Sequence, residues 1–251
     1  MIDTRVATWP EIKEYIDRRA VAILAFGAQE EHGPHLPLST DTVEAGGLAR
    51  RLAEELDAML LPPIPYGDSW GAGGFPGTVS ITFSTIYSLI IDIGKSLKFN
   101  HVRGLIVVNG HFGNHNPIEL AARELTAQSD FPTMMLDFPG LVEIAGQVLE
   151  SKPAAPTFYH ADEFETSMVL ALEPTTVHMD RAQAEYPEFP VSYYSEPILL
   201  NTFCKSGVFG DPRPATAEKG KRMLEMLTRE NLKIARAFID RIDTRENGLK
   251  P

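Results

Sequence analysis

Cysteine is nearly absent from this chain: Cys204 is the only one in 251 residues. An intramolecular disulfide is therefore impossible, which fits a reducing compartment. Long apolar runs are missing as well. No stretch approaches the ~20 residues that a membrane helix needs, and residues 1–10 hold no apolar core of a signal peptide. A soluble, cytoplasmic protein is expected. Positive charge is in deficit, with 23 Lys and Arg against 34 Asp and Glu and a net charge of −11. No basic patch breaks that balance, so neither nucleic acid nor an anionic membrane is an expected partner. Tryptophan occurs only at positions 9 and 70. Two catalytic signatures are also lacking. No glycine-rich phosphate loop follows a strand, and no Gly-x-Ser-x-Gly marks a serine hydrolase. Cys204 has no histidine near it in sequence, which makes it a poor thiol nucleophile.

What is present is 43% hydrophobic and long enough to bury a core without disulfides. One domain spanning residues 1–251 is expected. Short apolar runs at 21–26, 59–64, 105–108 and 133–137 read as strands. Between them, helical spacing of apolar positions appears at 42–56, 85–97, 117–128, 141–149, 164–172 and 216–242. A first helix starts after Thr8, with Thr8 as N-cap and Pro10 in the first turn. Residues 67–77 form a glycine-rich loop, and 186–204 are irregular and aromatic. Strands alternating with helices predict an α/β fold, a three-layer α/β/α arrangement around a mostly parallel sheet. Ligands in such folds bind beyond the carboxyl ends of the strands.

Chemistry-bearing residues collect at those ends. Glu30, His32 and Asp41 follow the first predicted strand directly. Carboxylates and imidazoles beside a core are costly unless compensated, and a divalent metal ion compensates both. In an extended segment Glu30 and His32 project to the same side and Glu31 to the other. Asp41 offers two oxygens, enough to bridge two ions; the competing reading makes it a helix cap near Thr42. His35 reads as a hydrogen-bonding neighbour. His111 follows the strand at 105–108 through Gly110, which permits a sharp turn or a positive φ. Further on, His160, Asp162, Glu163 and Glu165 crowd the start of a helix. Acids there suit the helix dipole, but the dipole does not explain His160, which is placed to shuttle a proton near a metal-activated water.

The stretches 27–42, 109–114 and 160–167, with 75–78 and 207–220, together resemble the creatininase (creatinine amidohydrolase) family. The resemblance implies a dinuclear metal site, Zn and/or Mn, and a homo-oligomer, usually a hexamer. It implies hydrolysis of a small cyclic amide or related C–N substrate by metal-activated water. Ring opening of a keto-inositol and deformylation of a formamide are alternatives within the family. By position, Glu30, Asp41 and His111 would hold one ion, and His32 and Asp41 the second. In creatininase a further carboxylate stands where this chain has Gly113, and an apolar residue stands where it has Glu163. The reversal implies Glu163 as the missing ligand, with Glu165 next in line. His160 would be the catalytic proton carrier. Trp70, Phe75, Phe112 and the loop 71–74 would wall the substrate pocket. Creatininase lines its pocket with tryptophans in segments that roughly match Phe138-Pro139 and Pro156-Thr157-Phe158, where this chain has no tryptophan, which points to a different small molecule and favours a polar, hydroxylated one. A non-catalytic metal-binding protein is the reading from another class. The scarcity of cysteine argues against it, because structural zinc sites often use cysteine.

Overall fold

The alternating pattern resolves into five strands and seven α-helices in the computed structural model, which describes residues 1–246. Residues 247–251 of the expected domain lie outside the described residues. The elements are β1 (Ile2–Asp3), α1 (Trp9–Asp17), β2 (Ala22–Phe26), α2 (Thr40–Leu56), β3 (Met59–Leu60) and α3 (Phe83–Phe99). They continue with β4 (Leu105–Asn109), α4 (His115–Ala127), β5 (Thr133–Leu136), α5 (Leu141–Val148), α6 (Glu163–Leu172) and α7 (Ala217–Glu246). The strands form one sheet in the order β1-β3-β2-β4-β5, and every pairing is parallel.

The two-residue period of the strands sorts the core into two halves. Ile23, Ala25, Ile106 and Val108 face one way and pack on α2, α5, α6 and α7. Leu24, Phe26, Leu105 and Val107 face the other way and pack on α1, α3 and α4. Both central strands are buried on both faces, which is why they read as unbroken apolar runs. Each of these Ile, Leu, Val and Phe side chains contributes roughly 1.5–3 kcal/mol by leaving water. The result is the three-layer α/β/α arrangement the sequence predicts. Among the described residues, no helix is long and apolar enough to cross a membrane.

Differences from the expected elements have local causes. β1 is two residues long, too short for periodicity to register. The strand expected at 59–64 stops at Leu60, because Pro62 and Pro63 carry no N–H for a ladder; Ile64 returns as an isolated bridge to Phe26. α2 starts at Thr40 with Ser39 at its cap, so Asp41 lies inside the first turn and is not the capping residue. α3 starts two residues early because Thr82 caps it, its side chain accepting from the Thr85 N–H at 3.3 Å.

The topology fixes where the site can form. From β2 the chain turns toward β3, whereas from β4 it turns toward β5, on the opposite side of the sheet. The helices that follow, α2 and α4, cover opposite faces. Neighbouring β2 and β4 thus flank a topological switch point, where open α/β sheets carry their ligand crevice.

Across the sheet, α6 and α7 approach closely at Gly220, where an added Cβ would stand 1.8 Å from the Ser167 carbonyl oxygen. Gly146 in α5 has nothing within 4 Å of such a Cβ. Gly146→Ala should therefore raise stability by up to about 1 kcal/mol, and Gly220→Ala should lower it by about 1–3 kcal/mol. Urea melts of the two variants check the opposite signs.

Candidate functional site

The segments after β2 and β4 meet at their carboxyl ends. After β2, the Glu30 N–H donates to the Leu38 carbonyl at 3.1 Å, folding the loop back so that Glu30, His32 and Asp41 face one space. After β4, Gly110 brings the chain against the first turn of α2; a Cβ there would stand 2.3 Å from the Asp41 carbonyl. Close approach is the reason for this glycine, since its φ is not positive. Asn114, fully buried, donates to the Gly27 carbonyl and accepts from the Asp68 N–H, tying the two loops together.

The third contribution comes from the start of α6. Ala161 stands in the left-handed region at φ 50°, a conformation that costs about 1–2 kcal/mol for a residue with a Cβ. Its N–H donates to the Glu165 carboxylate. This turn lets His160 and Glu165 face the same space.

The resulting cluster is tightly packed and sealed. Glu30, His32, Asp41, His160 and Glu165 are each at most 7% exposed. His32 Nε2 lies 3.0 Å from Asp41 Oδ1 and 3.5 Å from Glu165 Oε2. His111 Nδ1 lies 3.1 Å from Asp41 Oδ2 and 3.3 Å from Glu30 Oε1. Asp41 thus presents one oxygen to each imidazole. His160 Nδ1 stands 3.6 Å from Glu30 Oε1, while its Nε2 is 3.0 Å from Glu31 Oε1.

The outer nitrogen of each central histidine meets a backbone carbonyl, which can only accept. His32 Nδ1 lies 3.2 Å from the Glu30 carbonyl, and His111 Nε2 lies 2.9 Å from the Asp68 carbonyl. In the neutral ring the proton sits on that nitrogen, so the inner nitrogen turns a lone pair toward carboxylates. Lone pair facing lone pair requires a cation between them. His32 Nε2 and Asp41 Oδ2 also have no hydrogen-bond partner although both are buried. The triads Glu30–Asp41–His111 and His32–Asp41–Glu165 each place three donor atoms within 4.8 Å of one another. Donors about 2.1 Å from a divalent ion stand about 3–3.5 Å apart, so both triads fit such an ion. Glu30–His32–His160 forms a third grouping of the same kind.

Without metal, protons must serve as the cations. Burial pushes His32 and His111 down, but the surrounding carboxylates reverse this and leave both well above the usual histidine range: Asp41 and Glu165 act on His32, Glu30 and Asp41 on His111. Burial raises Asp41, yet His32 and His111 hold its carboxyl low. Burial and the Glu165 charge push Glu44 well up and Asp162 up to about 8. His35, which meets Thr166 Oγ1 at 2.9 Å, is pushed down to about 4 by burial and by His32, and is neutral at pH 7.

Several sequence expectations are relocated. Glu163 does not join the cluster. Its carboxylate accepts from the Glu150 and Ser151 N–H groups and from Lys219 Nζ. Successive helical residues are ~100° apart, so positions 163 and 165 point to opposite sides, and Glu165 is the one turned inward. Glu31, set aside by strand alternation, faces away from Glu30 and His32 but reaches the far nitrogen of His160. The Cys204 thiol is buried and pushed up to about 12, chiefly by burial, which removes it as a nucleophile.

A cavity of about 230 Å³ opens over the cluster. Its polar lining includes Glu30, Asp41, Glu44, His111, His160 and Glu165, and its apolar lining includes Phe138, Leu141, Phe158, Phe164, Tyr193 and Leu200. Asp68 and Asp137 also line it, and among the described residues no Lys or Arg does. Of the expected pocket walls, Phe112 and, from the loop 71–74, Gly71 and Ala72 line the cavity. Trp70 begins a short 3-10 turn and is 49% exposed, and Phe75 packs on the cluster formed by Ala72, Leu200, Cys204 and Phe209; neither lines the cavity. Phe138 and Phe158 lie in the two stretches that roughly match the pocket segments of creatininase, whereas Tyr193 comes from the irregular aromatic stretch 186–204, where nothing singled it out. Glu44 had a sequence signal: it lies three residues beyond Asp41 on the same helical face.

Residues 6–235 match the family model described as Creatininase: Creatinine amidohydrolase. The chain is 31% identical over 237 residues to creatinine amidohydrolase of Pseudomonas putida, covering 87% of this chain and 90% of that protein. It is 32% identical over 213 residues to mycofactocin precursor peptide peptidase of Mycolicibacterium smegmatis, covering 81% and 79%. It is 26% identical over 258 residues to 3-dehydro-scyllo-inosose hydrolase of Thermotoga maritima, covering 93% and 82%. Among solved structures, a Zn–Zn form of a creatininase variant superposes with a TM-score of 0.82, covering 94% and 97% at 28% identity. A manganese form of creatininase gives 0.80, covering 94% and 98% at 28% identity.

Two expected outcomes follow from this geometry. Glu165→Gln should lose bound metal while Glu163→Gln keeps it, as measured by plasma mass spectrometry of desalted protein. Glu163→Gln should instead destabilise the fold by about 1–3 kcal/mol, because Lys219 keeps Glu150 but loses its buried carboxylate partner. The second outcome concerns pH. Raised histidines stabilise the metal-free fold below pH 6.5, and that contribution is lost as pH climbs through their folded pKa. Glu44 and Asp162, raised acids, act in the same sense. The melting temperature of chelator-treated protein should therefore fall from pH 6 to pH 9, while the increment on adding metal grows, because uptake displaces protons.

Proposed function

The chain belongs to the creatininase family of hydrolases, and from that premise we propose that it cleaves a C–N bond in a small cyclic amide or related substrate, with two divalent ions, Zn and/or Mn, at its centre. The observation that carries this reading is the shared carboxylate of Asp41, one oxygen toward His32 and the other toward His111. Glu30, Asp41 and His111 would hold one ion; His32, Asp41 and Glu165 would hold the other. Ions bound there would polarise the scissile carbonyl and lower the pKa of water toward neutrality.

The remaining roles fall to this chain's own side chains. His160 is the catalytic proton carrier. Glu31 positions it: the Nε2 proton donates to Glu31 Oε1 at 3.0 Å, which leaves the Nδ1 lone pair facing the cluster beside Glu30. There His160 can take up a proton and deliver it to the departing nitrogen. The apolar wall of Phe138, Phe158 and Tyr193 binds the non-reacting part of the substrate and excludes water. That wall replaces the missing tryptophans with smaller aromatic rings, so the favoured substrate is amphipathic and not simply hydroxylated. Keto-inositol opening has in its favour the relative from Thermotoga maritima and the polar groups Asp68 and Asp137 at the cavity. By family resemblance the working assembly is a homohexamer, which light scattering after size exclusion tests.

The decisive experiment is a hydrolysis screen over lactams, cyclic ureides, formamides, short peptides and a keto-inositol, with metal counted in parallel. Turnover should vanish on chelation and return with Zn²⁺ or Mn²⁺. On whichever substrate responds, His160→Ala should keep its metal and lose about 10²–10⁴-fold in kcat. Full activity in that variant would reject the proton-carrier role, and firm metal binding without turnover on any of these substrates would overturn the catalytic reading of the site.

A further inference from the structure

Glu44 has no role in the scheme above, yet its situation is unusual. It projects from α2 one helical turn after Asp41, on the same face. It is 1% exposed, and its Oε1 makes no hydrogen bond. Two further buried atoms without partners, His32 Nε2 and Asp41 Oδ2, belong to the donor cluster itself. Glu44 borders the same cavity as that cluster. The charged groups that act on it are Glu165, Asp41, His32 and Asp162, with no Lys or Arg among them. A carboxyl sealed from water with an unmade bond is strongly unfavourable unless a cation or a donor completes it. A carboxyl retained for the fold would have its partners within the fold, as Glu163 has in Lys219 and two backbone N–H groups.

The donors His32, Asp41 and Glu165 stand within 4.8 Å of one another, and Glu44 belongs to no such group among the described residues, so it borders the cavity from outside them. Resting on the dinuclear reading proposed above, we infer that Glu44 serves the ion of His32, Asp41 and Glu165 from α2, as a positioning carboxylate next to those three donors.

The test is titration of chelator-stripped protein with Zn²⁺ and, separately, Mn²⁺ in competition with a chromogenic chelator. Wild type, Glu44→Gln and Glu44→Leu are compared, with thermal melts of the stripped and loaded forms. Wild type should take up two ions per chain. Both variants should keep one at unchanged affinity and bind the other about 10–100-fold more weakly. Stripped Glu44→Leu should melt above stripped wild type, because an unpaired buried carboxyl has gone, yet gain less on loading. Two ions in wild type with unchanged affinities in both variants would overturn the role of Glu44 alone. Stripped Glu44→Leu melting below stripped wild type would mark Glu44 as a structural carboxyl and overturn it equally. Uptake of fewer than two ions by wild type would overturn the dinuclear reading and this inference with it.

Discussion

The carboxylate of Asp41, lodged between the inner nitrogens of His32 and His111, is the contact round which the rest of the site is arranged. Three elements have to agree for it to exist. β2 and β4 must be neighbours, so that their loops emerge side by side. α2 must begin at Thr40, so that Asp41 enters the first turn beside the end of β4. Gly110 must let the two backbones touch. Given that arrangement, the charges cannot stay unbalanced at this depth, and the donor set requires cations.

The layered architecture was readable from the sequence because β2 and β4 are buried on both faces and their apolar runs are uninterrupted. The positions of Glu30, His32, Asp41 and His111 were readable because each follows a strand end, where topology places ligand crevices. Legibility ended where helical phase decides. A dense acidic segment such as 162–165 does not reveal which carboxylate turns inward until the first residue of α6 is known, and that residue is Glu163 itself. Glu44 was hidden by the expected helix start at Thr42, which left Asp41 outside the helix and so concealed that the two acids share a face. Strand alternation rightly sent Glu31 away from Glu30 and His32, but could not show that the other side holds His160. Of the aromatic residues at the cavity, Phe138 and Phe158 could be placed only by likeness to pocket segments of creatininase, and Tyr193 lies in irregular backbone, where no periodicity links sequence spacing to direction.

The cavity joins two unlike sets of residues: ionisable groups whose charges oppose one another, and aromatic and aliphatic side chains. Among the described residues no Lys or Arg lines the cavity. The relatives carry names as different as a creatinine amidohydrolase, a peptide peptidase and a keto-inositol hydrolase. A division in which the polar set persists while the apolar set is rebuilt would accommodate such variety.

The hydrogen bond between His160 and Glu31 spans 129 positions of the chain. Loops of that length close slowly and late, after local helices and neighbouring strands have formed. A nascent or partly denatured polypeptide therefore cannot gather the full donor set, however many acids and imidazoles it carries. Cation capture becomes a property of the finished tertiary structure, and any ion so captured holds shut the join between the first and second halves of the polypeptide.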